Sequence, residues 1–287
     1  MSETEITIES WAGDAARDNR LMRETLAYLV REEALHCIQT AAVLDESPQH
    51  ATSWWVVRRG DAVVGVGSIT GGFNMLLSRV ADVAVSPALV EALLARNIAI
   101  PGVMGNERDA LAFATSWRAQ TGTRIVPGMR QAVMECRTVR PPRAVPGTSS
   151  RAGDSDREWL LPWLQAFADE ADRDPTPHPD AGQAILRSVQ PPAGMFIWRD
   201  ESGQPVSVAG YKGQTATGVR IGPVYTPPEH RARGYGTAVT AVATQALLDE
   251  GRQFTCLYTD LANPTSNHIY AAIGYEPVAT SVVLRFA

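Results

Sequence analysis

The sequence predicts an α/β protein of two domains, each a mixed sheet with helices on its faces. Its 287 residues correspond to about two domains of ordinary size. In each half, helical segments precede two apolar stretches joined by a glycine-bearing turn, at 54–70 and 195–211, which is the pattern of a β-hairpin. A seam rich in proline, glycine and serine divides the halves. We therefore expect domains at 1–140 and 155–287 with a linker at 141–154.

The helical segments lie at about 18–44 in the first half and at about 155–171 and 179–189 in the second. Pro162 predicts a break in the segment at 155–171, because a proline inside a helix costs about 3 kcal/mol. The repeated order of helices and hairpin has two interpretations. It indicates two copies of one fold, or it is a chance similarity, since hairpins are common.

Composition excludes several classes of function. The formal charge of −5 gives no basic field for nucleic acid, and no apolar run is long enough to span a membrane. The amino-terminal residues are acidic and lack the apolar core of a secretion signal. Cys37, Cys136 and Cys256 are far apart and form no CxxC pair, so neither a disulfide framework nor a metal site is expected. We expect a soluble cytoplasmic protein without a metal, and the sequence leaves its oligomeric state open.

The segment that carries chemistry joins a β-branched strand at 218–226 to a helix that ends at Gly251. Between them lies Arg231-Ala-Arg-Gly-Tyr-Gly236. Glycines let the backbone bend closely, and the first N–H groups of a helix have no partners inside it. Such a turn binds phosphate groups, helped by the helix dipole and by two arginines. The alternative is a surface turn that only caps the helix. The glycine spacing is neither that of a Walker loop nor that of a dinucleotide fingerprint.

A second motif follows about 25 residues downstream. The second motif consists of an asparagine after a strand, a helical tyrosine and a Gly-Tyr pair: Asn263, Tyr270, Gly274 and Tyr275. Together with Arg231-x-x-Gly234-x-Gly236, this motif resembles the acetyl-CoA-binding region of the GCN5-related N-acetyltransferase superfamily. The resemblance is specific over roughly 205–280, extends over 155–287, and is suspected for the first half as a degenerate copy. It implies a mixed, mostly antiparallel sheet.

The resemblance also implies roles for residues, with acetyl-CoA as the co-substrate. Val224, Tyr225 and Thr226 would pair with the pantetheine arm through their backbone, and Asn263 would contact that arm or the thioester. Tyr270 would be the acid that protonates the departing thiolate. Main-chain N–H groups of the loop would wrap the diphosphate, namely those of Arg231, Ala232, Arg233, Gly234, Tyr235, Gly236 and Thr237.

The general base is not evident, because the cofactor strand carries Arg220 where relatives often carry a glutamate. Asp260 is a weak candidate and a chain of waters is an equal one, whereas Glu229 reads as a solvated turn residue. An acidic cluster near Trp163 and Phe167 is either a rim that attracts a cationic amine or a charged helix end over core aromatics. The cluster comprises Asp169, Glu170, Asp172 and Asp174.

The first half lacks the Arg-x-x-Gly-x-Gly loop. Its nearest candidate, at 100–108 before a helix at about 107–119, has a different glycine pattern. If this half is a second copy of the fold, we expect it to bind no CoA and to support or line the acceptor site.

The resemblance implies an acetyl-CoA-dependent N-acetyltransferase that acts on a primary amine of a small molecule or peptide. Two alternatives stay open. The chain could be a CoA-binding or scaffold module without catalysis, or an acyltransferase that uses a hydroxyl acceptor or a longer acyl group. Because no general base is evident, the first alternative stays open.

Overall fold

The computed structural model describes residues 5–12, 20–45, 52–171, 179–191 and 193–287. The chain divides into two compact units, of which the first comprises Met1–Val133 and Val278–Ala287 and the second comprises Met134–Pro277. Among the described residues, no helix is long and apolar enough to cross a lipid bilayer.

The first unit is a mixed sheet with helices. Its elements are β1 (Ile6–Ala12), α1 (Arg20–Leu29), α2 (Cys37–Leu44), β2 (Thr52–Arg59), β3 (Ala62–Thr70), β4 (Met75–Leu77), α3 (Val85–Ala95), β5 (Gly102–Asn106), α4 (Glu107–Thr121) and β6 (Ile125–Cys136). Strands β1 to β5 lie side by side in chain order. Neighbouring strands run antiparallel except β4 and β5, which are parallel. The last residues of β6, from Met134, fall in the second unit.

Two adjacent tryptophans of β2 enter two different hydrophobic cores. Successive side chains of a strand point to opposite faces of its sheet. Trp54 packs in one core with Leu29 of α1, and Trp55 packs in the other with Leu89 of α3 and Phe113 of α4. Both indole rings are almost fully buried, at 1% and 2% exposure. Helix α1 therefore covers one face of the sheet, and α3 and α4 cover the other.

The second unit repeats this succession of elements. They are β7 (Thr148–Arg151), α5 (Arg157–Ala171), α6 (Ala181–Ser188), β8 (Gly194–Arg199), β9 (Pro205–Gln214), β10 (Gly218–Tyr225), α7 (Tyr235–Asp249), β11 (Phe254–Asp260) and α8 (Pro264–Ile273). Strands β7 to β11 again lie in chain order, and only β10 and β11 are parallel. The repeat expected from the two hairpins is thus confirmed as two copies of one topology.

The faces of the second sheet are also distinct. Leu160 and Leu164 of α5 pack against Val208 of β9 and Tyr225 of β10. Tyr211 lies three positions after Val208 and therefore points to the other face. There its hydroxyl contacts Arg151, whose guanidinium also pairs with Glu250 at the end of α7. Helices α5 and α6 thus cover one face of this sheet, and α7 covers the other.

The last strand, β12 (Glu276–Phe286), pairs antiparallel with β5, with Val283 opposite Met104. Its residues from Val278 onward belong to the first compact unit, although the sequence assigned 155–287 to a second domain. An alternating apolar pattern predicts a strand, but it does not say which sheet the strand joins.

Two further expectations need correction. The region assigned as the linker 141–154 contains the strand β7, which pairs along β8 from Thr148 to Arg151. A short polar edge strand has no apolar alternation for the sequence to show. Helix α5 runs unbroken through Pro162. The proline removes one hydrogen bond, and the flanking core residues Leu160 and Leu164, both buried, hold the helix in place.

Candidate functional site

Strand β10 separates from β11 partway along its length. Parallel pairing joins Gly218 to Phe254 and ends with Arg220 opposite Cys256, within the described residues. On its other edge β10 has a register shift between Ile221 and Val224, where two residues oppose one residue of β9. The β11 side of the last part of β10 is therefore left without a strand partner. The opening lies beside Val224 and Tyr225, whose backbone the resemblance implies would pair with the pantetheine arm.

The turn from β10 to α7 holds a row of N–H groups without protein acceptors. The Arg231 N–H bonds the Pro228 carbonyl at 3.2 Å, and the next bonded N–H is that of Ala238, which bonds Gly234 at 3.0 Å. Between them, no described carbonyl or side chain accepts from the N–H groups of 232–237. Helix α7 is 15 residues long, so its dipole adds positive potential at this end.

Backbone conformation explains the two glycines of the turn. Gly234 has φ of +83°, a value that suits glycine because it has no Cβ. Gly236 has an ordinary φ, but a Cβ there would lie 3.2 Å from Thr226 Oγ1 and 4.0 Å from Ile269 Cδ1 of α8. Gly236 therefore lies in a narrow gap between the end of β10 and α8. A large side chain at this position would fill the gap.

The side chain of Arg231 is engaged by the protein itself. Its Nη2 contacts both carboxylate oxygens of Glu170, at 2.7 and 2.8 Å, and its Nε donates to the Thr226 carbonyl at 2.9 Å. Arg231 therefore ties the loop to α5 and to the end of β10, and Glu170 balances its charge. Arg233 is exposed and has no ion pair in the described part of the chain. Of the two arginines expected to supply charge, Arg233 is the one left to do so.

Asn263 is the residue that starts α8. Its Oδ1 accepts a hydrogen bond from the Ser266 N–H at 3.1 Å, as an N-cap residue does. The carbonyl oxygen of the side chain is thus occupied, and the amide NH₂ group is the part that can donate to a ligand. Asn263 is exposed, as a ligand contact requires.

Tyr270 lies one turn before the end of α8, and its ring packs edge-on against Tyr275 with centroids 5.8 Å apart. The side chain is 9% exposed, and burial raises the pKa of its phenol to about 12. No described group hydrogen-bonds its hydroxyl. Tyr270 is therefore a neutral phenol over the physiological range, with its O–H free to donate.

The carboxylates considered at the sequence level are placed as follows. Asp260 accepts a hydrogen bond from the Ala262 N–H at 2.9 Å and so closes the turn after β11. Asp169 accepts from Gln165 at 2.8 Å, and Glu170 pairs with Arg231. Glu229 is exposed. Asp172 and Asp174 lie outside the described residues. Of this acidic cluster, Glu170 and Asp169 are thus engaged by groups of the protein.

Sequence reasoning assigned no role to Lys212, the only lysine of the chain. It lies on β9 opposite Arg220 of β10, and its Nζ donates to Ser188 Oγ at 2.9 Å. Burial, with a smaller contribution from the Arg220 charge, lowers the pKa of Lys212 to about 8. The one available signal was a lone lysine in a strand that otherwise reads as apolar. In the described residues no three His, Cys, Asp or Glu side chains form a group that could hold a metal.

Comparison with known proteins agrees with this geometry. Residues 208–284 match the family described as FR47-like protein, a segment that contains both the turn and α8. The mycothiol acetyltransferase of Clavibacter sepedonicus is 24% identical over 211 residues, which cover 71% of this chain and 68% of that protein. The protein of the same name from Thermobifida fusca is 29% identical, but the match covers only 44% of this chain and 42% of that protein.

Solved structures agree over the whole chain. A tandem GNAT protein from the clavulanic acid biosynthesis pathway covers 99% of this chain and 98% of its own length, with a TM-score of 0.59 and 14% identity. A GCN5-related N-acetyltransferase from Kribbella flavida covers 78% of this chain and 88% of its own, with a TM-score of 0.54 and 21% identity. These likenesses establish the fold of both units. The chain is thus similar to GCN5-related N-acetyltransferases, and it has their fold twice in tandem.

Proposed function

We propose that the second unit binds acetyl-CoA and transfers its acetyl group to a primary amine of a small molecule or peptide. The observation that carries this proposal is the row of N–H groups at 232–237 that have no acceptor among the described residues. Several N–H groups converging at a helix start bind phosphate groups. The acetyltransferase names of the relatives agree with this chemistry.

The site offers groups to each part of CoA. The N–H groups of 232–237 would hold the diphosphate, and the exposed guanidinium of Arg233 would add attraction. The open edge of β10 would pair with the pantetheine arm, with Val224 and Tyr225 at its centre. The Thr226 carbonyl is bonded by Arg231, so Thr226 would contribute its N–H. Asn263 would donate its side-chain NH₂ group to the arm.

When bound, acetyl-CoA supplies an acetyl group activated as a thioester. The Tyr270 phenol would donate a hydrogen bond to the sulfur as the C–S bond breaks. Its pKa of about 12 lies about 3.5 units above that of an ordinary thiol, a difference of about 5 kcal/mol. Full proton transfer to the thiolate is therefore uphill, and Tyr270 acts chiefly by hydrogen bonding, with water completing the protonation.

The acceptor must lose a proton before it attacks. A lysine-like ammonium has a pKa of about 10.4, so its deprotonation at pH 7 costs about 4.6 kcal/mol. The described residues place no carboxylate on β10, and Asp260 closes a turn. We therefore expect deprotonation through water, and amines of lower pKa to react faster than lysine-like ones.

A tryptophan at Gly236 tests the proposal. Because its side chain would fill the gap between Thr226 and Ile269, we expect CoA binding, measured by titration calorimetry, to fall below detection. The matched control is Gly71→Trp, since Gly71 is exposed and has open space where a Cβ would be. Circular dichroism of both variants checks that they fold.

Unchanged CoA affinity in a folded Gly236→Trp variant would remove the site assignment. Thiol release from acetyl-CoA across a panel of amines then separates an enzyme from a binding module. CoA binding without any thiol release would favour the module. Release with hydroxyl acceptors alone would favour O-acylation, and release from longer acyl-CoA alone would favour a larger acyl group.

A further inference from the structure

Two cations lie side by side on one face of the second sheet, and neither is among the residues that would hold CoA. Arg220 of β10 and Lys212 of β9 are registered partners in an antiparallel pair, so their side chains share a face. The Lys212 Nζ bonds Ser188 at the end of α6, so this is the face that α5 and α6 cover. Both side chains therefore extend from the face of the sheet on which α5 and α6 lie.

Within the part of the chain that the structure describes, neither cation has an acidic partner. The hydrogen bond of Lys212 goes to a neutral hydroxyl, and Arg220 makes no hydrogen bond or ion pair. Other arginines of this unit do have carboxylate partners: Arg151 pairs with Glu250, Arg199 with Asp156 and Arg231 with Glu170. Like charges opposite each other in a sheet are destabilising, so this unbalanced pair needs a separate explanation.

The surroundings of Lys212 disfavour its charge. It is half-buried, and burial is the larger cause of its lowered pKa, followed by repulsion from Arg220. An anion bound between the two side chains would relieve both effects. A guanidinium presents paired N–H groups that match the two oxygens of a carboxylate, and an ammonium adds a third donor.

The pair also lies at the reacting end of the proposed CoA site. Arg220 is the residue at which the β10–β11 pairing ends, and the diphosphate turn lies at the opposite end of the opening, beyond Tyr225. A pantetheine arm laid along β10 from that turn therefore runs toward Arg220. An acceptor that reaches the thioester would meet these cations.

We propose that Lys212 and Arg220 bind a carboxylate carried by the acceptor close to its amine, so that the substrate class is an amino acid. This inference rests on the proposed function for the identity of the reaction, but the anion site itself can be tested separately.

The test compares amino acids with the matched amines that lack the carboxylate, such as L-tyrosine with tyramine and L-lysine with cadaverine. Acetyl transfer is followed by thiol release, and binding of the same compounds is followed by calorimetry. In the unsubstituted protein we expect carboxylate-bearing acceptors to be preferred in kcat/KM by about tenfold or more, as the loss of a charged hydrogen-bond partner implies.

Arg220→Gln and Lys212→Met should each raise KM for the amino acids and leave KM for the decarboxylated amines and the affinity for CoA unchanged. The matched control is Arg187→Gln, because Arg187 is an exposed arginine of α6 beside Ser188. Equal use of both acceptor classes by the unsubstituted protein would overturn the inference. So would an equal loss for both classes in Arg220→Gln, which would indicate a structural role.

Two further outcomes separate the inference from neighbouring claims. If Lys212→Met lowers kcat for both acceptor classes and Arg220→Gln has no effect, Lys212 accepts a proton and the carboxylate site is wrong. If CoA does not bind, the proposed function fails, and calorimetry of the amino acids alone still decides the anion site. If the protein prefers carboxylate-bearing compounds and Arg220→Gln abolishes that preference, the anion site is supported. If the unsubstituted protein shows no such preference, the anion site is contradicted.

Discussion

In both units a short turn leads from a strand into a helix, at 78–84 before α3 and at 226–234 before α7. In the first unit most N–H groups of this turn have acceptors within the protein; those of Asp82 and Val83 have none among the described residues. The N–H groups of Ser78 and Ala81 donate to carbonyls of β3. Those of Arg79 and Val80 donate to the side chains of His36 and Asp109. Those of Ala84 and Val85 donate to the side chain and the carbonyl of Asp82. In the second unit the N–H groups of 232–237 have no acceptor in the described chain.

The strands that precede the two turns also differ, in how completely each pairs with its parallel neighbour. Every residue of β4 pairs with β5, from Met75 to Leu77, whereas the pairing of β10 with β11 ends at Arg220. Asp82 and Asp109 accept from N–H groups of the first turn, and Arg59 and Arg108 pair with these carboxylates. One topology thus supports a closed turn that stabilises its unit and an open turn suited to an anion. The difference lies in side-chain acceptors and glycines rather than in the arrangement of helices and strands.

The largest effect should come from breaking the closed turn. Asp109 is buried and accepts hydrogen bonds from the Val80 N–H at 3.2 Å and from Arg108 Nε at 2.6 Å. Asp109→Leu leaves a buried N–H without an acceptor, so we expect the free energy of unfolding to fall by about 2–4 kcal/mol. Urea unfolding followed by circular dichroism measures it.

Asp109→Asn is the control, because its amide oxygen can still accept from Val80, and it should lose much less. CoA affinity should be the same in both variants. A loss of CoA binding in Asp109→Leu, with the protein folded, would contradict the separation of roles between the two turns.

A smaller effect is expected at the open site. Tyr270→Phe removes the hydroxyl that we propose donates to the sulfur, so kcat should fall by about tenfold to a hundredfold while CoA affinity changes little. Because the pKa of Tyr270 is about 12, the pH–rate profile between pH 6 and 9 should keep its shape in the variant. A fully active Tyr270→Phe would show that the Tyr270 hydroxyl does not assist departure of the thiolate.

The smallest effect concerns pH and the closed turn. His36 donates through Nδ1 to Leu29 and accepts the Arg79 N–H at Nε2, so it is neutral, and burial lowers its pKa. The unfolded chain therefore takes up the proton first as pH falls below about 6.5, and stability decreases there. Urea unfolding at pH 7.5 and 5.5 should show this decrease, and His36→Gln should reduce it. An identical pH dependence in the variant would assign it to other groups.

Much of the open site could be predicted from the sequence because its signals are local. Gly234 and Gly236 mark the turn, and Asn263 and Tyr270 follow at a fixed spacing within one strand–helix segment. The two hairpins could be predicted for the same reason, because the apolar stretches and the glycine-bearing turn of each lie within about twenty residues.

The closed turn could not be found in this way. The segment 100–108, chosen as the counterpart in the first half, contains strand β5 and the start of α4, whereas the topological counterpart is 78–84. The side chains that accept from the turn at 78–84 are His36, about 40 residues before it, and Asp109, about 30 residues after it. No local sequence pattern contains both. Lys212 and Arg220 likewise meet only through the register of two strands. Long-range pairing also places β12 against β5.

The placement of β12 has a consequence for how the chain acquires its structure. Residues 278–287 complete the sheet of the first unit but are synthesised after the whole of the second. The amino-terminal unit therefore cannot follow the usual order in which domains fold one by one as they leave the ribosome. Until translation has passed through β12, β5 has an exposed edge, and a chaperone or a neighbouring nascent chain can occupy it.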